Sequence, residues 1–230
     1  MIDRQARQPM VRATKAGGLA MKLHGFFRSS ASYRVRIGLG LKGIKVDHTF
    51  YVLRKGEQRS ESYLAMNPQG LVPSLELDDG SILTQSLAIL DYLEETHPEP
   101  SFLPKDPVRR AKVRAFALAI ACDLHPVQNL KVLFAVKGLT GSEQAMNDWA
   151  RRVNQEGLEA CEALLAGEKG PFCFGDRPTL ADIVLVPQLA NARRFGADLS
   201  KLPRLMQAET ACLALPAFAD AAPEKQPDAE

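Results

Sequence analysis

Arg28-Ser29-Ser30-Ala31-Ser32-Tyr33-Arg34-Val35-Arg36-Ile37 follows an apolar, strand-like run over residues 22–27, and its reading decides how the chain folds. By periodicity, Tyr33, Val35, Ile37, Leu39 and Leu41 alternate with Arg34, Arg36, Gly38 and Gly40, the period of a strand. By its ends the same stretch is a helix. Ser29, Ser30 and Ser32 are N-cap residues, Gly43 is a C-terminal stop, and Tyr33, Ile37 and Leu41 stack at i, i+4. The pattern alone leaves the two readings open. As a helix start, the serines place hydroxyls and unpaired backbone N–H groups at one point, an arrangement suited to an anion such as a thiolate.

Outward from this stretch, residues 46–53 read as a second strand, followed by a polar loop and a short segment ending at Met66-Asn67-Pro68. Leu75 and Leu77 alternate with polar neighbours, Asp78-Asp79-Gly80 is a hairpin turn, and Ser81-Ile82-Leu83 is the returning strand. A helix is predicted from Ser86 to Thr96, with Leu87, Leu90 and Leu93 on one face, ending before Pro98. Pro98, Pro100, Pro104 and Pro107 mark a linker. Beyond it, β signals nearly vanish. Residues 107–137, 142–167 and 179–195 read as long helices, the third opened by the capping box Thr179-Leu180-Ala181-Asp182 and kinked at Pro187. The tail from Ala221 is expected to fray.

Composition narrows the function. The 230 residues are 46% hydrophobic and 24% charged, with a net charge of +2 and interspersed signs, so no broad field favours nucleic acid. Basic runs such as Arg109-Arg110-Ala111-Lys112 read as a solvated helix face. No apolar stretch approaches the roughly 20 residues that span a bilayer. Cys122, Cys161, Cys173 and Cys212 form no C-x-x-C pair, so neither a metal centre nor a dithiol redox site is expected. Buried free thiols in a reducing cytoplasm are the simpler reading. Residues 1–20 carry Arg4, Arg7, Arg12 and Lys15 against Asp3 but too few apolar residues for a targeting helix, and they are set aside as a disordered or mis-assigned extension.

The chain from about Met21 to Asp228 resembles the zeta-class glutathione transferases, the maleylacetoacetate isomerase family. The resemblance rests on the order and spacing of separate motifs. These are the Ser-rich stretch, Asn67-Pro68 with Val72-Pro73, Gln85-Ser86-Leu87-Ala88-Ile89 and His125-Pro126-Val127-Gln128-Asn129. Gly175-Asp176 with Thr179-Leu180-Ala181-Asp182, and Leu185-Val186-Pro187-Gln188 with Arg193-Arg194-Phe195, complete the set. It departs from the family at Ala31, where the family usually has Cys. The resemblance implies an α/β thioredoxin-like N-terminal domain over 21–100, an all-α C-terminal domain over 107–220 and a flexible tail over 221–230, with the serine stretch as a helix.

The resemblance further implies glutathione as cofactor and a homodimer. The activity implied is cis–trans isomerisation of maleylacetoacetate to fumarylacetoacetate in tyrosine breakdown. The alternatives are maleylpyruvate isomerase, conjugation of small α-haloacids, and a non-catalytic module for protein interaction. Ser29 and Ser30 are the expected catalytic residues, against the plain reading that both are N-caps. Glutathione contacts are expected from Ser29, Ser30, Ala31, Ser32, Tyr33, Arg34, Gln58, Val72, Pro73, Gln85, Ser86, His125, Gln128 and Asn129. Val72-Pro73 matches the position of a cis-proline. Arg28, Arg194 and Lys131 are expected at the substrate carboxylates, each against the reading of a solvated surface charge.

Overall fold

The computed structural model describes residues 21–229, so the N-terminal extension expected over 1–20 lies outside the described residues. The N-terminal half runs β1 (Lys22–Gly25), α1 (Ser30–Lys42), β2 (Asp47–Phe50), α2 (Glu61–Met66), β3 (Ser74–Glu76), β4 (Ile82–Thr84) and α3 (Ser86–Thr96). Its four strands form one sheet in the order β2-β1-β3-β4, with β1 parallel to β2 and the other pairs antiparallel. The hairpin turn is as read: Asp79 Oδ1 accepts from Ser81 N at 2.8 Å, and Gly80 takes φ 83°. Helices make up the rest: α4 (Pro107–Leu118), α5 (Leu130–Thr140), α6 (Glu143–Leu164), α7 (Leu180–Arg194), α8 (Pro203–Leu213) and α9 (Pro216–Ala219). One hydrophobic core runs through both halves.

The serine stretch is a helix, and its packing explains why no helical stripe shows in the sequence. α1 is buried on nearly every side, from Ser30 through Leu39, against α3, α7 and α9. A helix enclosed all round has no polar face to set a period of 3.6. The apparent alternation comes from the buried Arg34 and Arg36 and from the glycines. A Cβ on Gly38 would fall 2.3 Å from Leu90 Cδ2, and one on Gly40 would meet Ala217 Cα at 3.2 Å. Small residues there let α3 and α9 approach the α1 backbone.

Three expectations are corrected. The helix predicted over 107–137 is broken into α4, a π-helical turn at Ala119–Leu124, a 3₁₀ turn at His125–Gln128 and α5. Pro126 lacks an N–H and its ring crowds the preceding turn, which favours a break in the helix here. The tail from Ala221 is docked rather than frayed. Ala221 and Ala222 are buried, Asp228 Oδ2 accepts from Phe27 N at 2.9 Å, and Arg36 Nε donates to Ala221 O at 2.9 Å. The third concerns the thiols: Cys161, Cys173 and Cys212 are buried, but Cys122 is exposed.

Candidate active site

Register brings the separated motifs to one end of the sheet. His24 pairs with Ser74, and Ser74 pairs with Thr84. Just past this row lie the approach to α1, the Val72-Pro73 dipeptide that precedes β3, and Gln85-Ser86, which follow β4. At α1, Ser29 is the N-cap (φ −67°, ψ 115°), and its Oγ accepts from Ser32 N at 3.2 Å. Acceptance there leaves the hydroxyl hydrogen available to a ligand, so the cap and the catalytic reading are compatible. The positive end of a 13-residue helix adds to the same point. Ser29 and Ala31 are partly exposed, whereas Ser30 is buried.

Ser32, Tyr33 and Arg34, also expected at glutathione, have their side chains packed inside, at 0%, 2% and 2% exposure. Ser32 Oγ packs against Gly25, Tyr33 donates its hydroxyl to Phe218 O at 3.2 Å, and Arg34 Nη1 donates to Ser86 Oγ at 3.4 Å.

Val72-Pro73 is a cis peptide, and Val72 lies beyond the β1–β3 ladder, with its backbone at the open end of the sheet. The loop before it is held by Asn67 Nδ2 and by the Tyr63 hydroxyl, both donating to Leu71 O at 2.7 Å. Gln58 lies in the loop between β2 and α2. Its Nε2 donates to Leu53 O at 3.4 Å, and its buried Oε1 has no partner. Gln85, exposed, is the N-cap of α3 with φ 67° and ψ 118°, and its Nε2 donates to Gln69 Oε1 at 2.7 Å. A positive φ in a residue with a side chain costs about 1–3 kcal/mol, and such strain concentrates at ligand sites. Gln85→Gly is therefore expected to raise stability by up to about 1 kcal/mol in urea unfolding while weakening ligand binding at this corner. Lower stability would show that the strain is absent.

The helical half closes the other side. His125 Nδ1 is buried without a partner, and both amide atoms of the buried Gln128 are unpartnered. Burial and then the charge of Arg34 push the His125 imidazolium down to about 3, with Arg194 adding to this and Gln188 opposing it. His125 is thus neutral near pH 7. Between pH 6.5 and 3 the unfolded chain binds a proton there that the folded chain does not, so stability falls as pH falls. His125→Gln is expected to remove up to about 1.4 kcal/mol per pH unit from that acid slope. Unfolding curves at pH 7 and pH 5 check this, and identical slopes would contradict it. Asn129 caps α5: its Oδ1 accepts from Val132 N at 3.2 Å. Lys131 is exposed on α5.

Arg28 lies over the Phe27 ring at 4.9 Å, next to Ser29 in the chain, and Arg194 over Phe195 at 4.7 Å. Desolvation, then the charges of Arg28 and Arg54, draw the Arg194 guanidinium down to about 10. Arg28, next to Ser29 in the chain, and Arg54 thus both act on Arg194. Sequence reading missed Arg54, which looked like any base in a polar loop, and it missed Tyr63 and Gln69, whose contacts depend on the folded loop.

Two family models match the chain: the N-terminal domain of glutathione S-transferase over residues 23–101 and its C-terminal domain over 147–208. The chain is 46% identical over 210 residues to the maleylacetoacetate isomerase of Pseudomonas aeruginosa, covering 90% of this chain and 98% of that one. Among solved structures, a maleylpyruvate isomerase described as a bacterial zeta-class glutathione transferase superposes with a TM-score of 0.88. It is 43% identical and covers 91% of this chain and 100% of its own. The maleylacetoacetate isomerase of Methylobacterium extorquens AM1, with bound malonate and glutathione, also gives 0.88, at 40% identity and 91% and 99% coverage.

Proposed function

We infer the activity from the premise that the chain belongs to the glutathione S-transferase family and stands with its zeta-class isomerases. It is a glutathione-dependent enzyme that converts maleylacetoacetate to fumarylacetoacetate. The observation that carries this reading is a serine-headed helix N-terminus that Arg28 adjoins in the chain, with Arg28 and Arg54 both acting on Arg194. The helix head suits a thiolate and the arginines a dicarboxylate.

The residues present fit glutathione. Val72 offers main-chain groups beyond the ladder, and Gln85-Ser86 offer the N-terminus of α3 to a carboxylate. Gln58 and Gln128 each carry buried polar atoms without a protein partner. Glutathione, when bound, supplies the thiolate that adds to the conjugated cis double bond and leaves again after rotation about it. Ser29 donates its hydroxyl to the sulfur and lowers the pKa of a thiol that is about 8.5 in water. Arg28 and Arg194 hold the substrate's carboxylates and orient the double bond towards Ser29. Ala31 contributes no thiol, so the reaction uses glutathione's sulfur alone.

A second reading, maleylpyruvate as preferred substrate, is favoured by the match to a maleylpyruvate isomerase. The reading extends to two domains over 21–100 and 107–220, a homodimer and a cytoplasmic location. A sedimentation mass near the 25.2 kDa of one chain would reject the dimer. An absorbance assay with each substrate, with and without glutathione, tests the activity. Turnover that requires glutathione is expected, and the ratio of rates selects the substrate. Binding of glutathione without turnover of either substrate would overturn the isomerase reading.

A further inference from the structure

α1 carries three cationic side chains out of water, and the fold treats them differently. Lys42 Nζ donates to Glu94 Oε2 and to Pro100 O, both at 2.8 Å. Arg36 is satisfied by carbonyls: Nε by Ala221 and Nη2 by Phe27, both at 2.9 Å, and Nη1 by Phe26 at 3.5 Å. Arg34 has no such set. Its one hydrogen bond is Nη1 to Ser86 Oγ at 3.4 Å, and Nε and Nη2 are buried without partners. Among the described residues no carboxylate is paired with it. An arginine stays protonated, and a buried cation left without an anion destabilises the fold that holds it.

The one bond Arg34 does make has a fixed direction. A guanidinium has donors and no acceptor, so the Ser86 oxygen must accept. The Ser86 hydroxyl hydrogen is thereby committed to some other acceptor. Ser86 opens the 11-residue α3, whose first-turn N–H groups have no partner within the helix, beside the strained and exposed Gln85. The missing partner of this arrangement is an anion at the head of α3.

We propose that Arg34 is a positioning residue for the free α-carboxylate at the γ-glutamyl end of glutathione, acting through Ser86. It fixes the Ser86 hydroxyl as a donor towards that carboxylate and places a positive charge behind it. The carboxylate in turn compensates a charge that the protein alone leaves unpaired. The proposal rests on the glutathione reading above.

The test compares glutathione with γ-aminobutyryl-cysteinyl-glycine, the same peptide without that carboxylate, by calorimetry on the full chain. Arg34→Met is expected to weaken glutathione binding at least about tenfold and to change binding of the decarboxylated peptide less than about threefold. Without ligand, Arg34→Met is expected to melt at or above the wild-type temperature, because an unpaired buried charge has been removed. KM for glutathione should rise while kcat at saturation stays within about twofold. If Arg34→Met does not fold, Arg34→Lys carries the comparison: the charge is kept and the fork is lost, and glutathione should again weaken more than the decarboxylated peptide. Equal losses for both peptides, or unchanged glutathione affinity, would overturn the role of Arg34. A wild-type protein that binds neither peptide would overturn the glutathione reading itself, and this proposal with it.

Discussion

Ser29→Ala lowers glutathione-dependent turnover about 10²–10³-fold, the range associated with losing one donor to a developing or stabilised anion. The expectation follows from the local geometry. Ser29 Oγ accepts from Ser32 N, so its hydrogen stays available to a ligand at the positive end of α1. Alanine removes both the donor to sulfur and the cap. Loss of an N-cap costs about 0.5–2 kcal/mol of stability, which leaves most of a 5–15 kcal/mol domain folded. The two effects therefore separate: turnover collapses while the melting temperature falls modestly. Initial rates at saturating glutathione, beside a thermal melt of the same preparation, check this. Turnover unchanged within a factor of two would remove Ser29 from the chemistry.

Asp182→Ala produces the largest loss of stability. The carboxylate is fully buried at the third position of α7. Oδ2 accepts from Thr179 N at 2.8 Å and from Thr179 Oγ1 at 2.9 Å, and Oδ1 accepts from Cys173 N at 2.8 Å. Burial pushes this carboxyl upward while those donors pull it down. Removing it leaves three N–H and O–H donors, and the weaker Cys212 Sγ at 3.8 Å, without this partner, the first three each worth about 1–3 kcal/mol when buried. Because they share one acceptor group the losses overlap, and about 3–5 kcal/mol in all is expected. α7 also carries Arg194 and packs against α1, so what survives unfolding is a site with weakened support. Urea denaturation measures the effect, and a loss below about 1 kcal/mol would show that water replaces the carboxylate.

How much of this was legible in the sequence varied with the range of the interactions. Local turn chemistry was readable. Asp78-Asp79-Gly80, the Thr179/Asp182 capping box and Ser29 before α1 all act within three residues, and each stands where its residue types place it. The helical state of α1 was not readable from periodicity, because a helix enclosed by α3, α7 and α9 has no solvated face. Only resemblance separated helix from strand there. The break at Pro126 was available in principle, since proline ends helices, but an Ala- and Leu-rich run concealed it. The docking of residues 221–228 depends on contacts some 200 residues apart, Asp228 to Phe27 and Ala221 to Arg36, which no local pattern encodes. In the site, the serines and Gln85-Ser86 were named before the fold was known. Ser32, Tyr33 and Arg34 were expected with them by resemblance, and their side chains are enclosed. On a helix the side chain turns about 100° per residue, so most of a contiguous run faces elsewhere.

The central claim is that the head of α1 keeps glutathione's thiol ionised near pH 7. The measurement that tests it most directly is the ultraviolet absorbance of the thiolate of bound glutathione, titrated against pH in the wild-type protein and in Ser29→Ala. The account predicts a midpoint below about 7 in the wild type, returning towards the free-thiol value of about 8.5 in the variant. A wild-type midpoint at the free value, with glutathione bound, would contradict it.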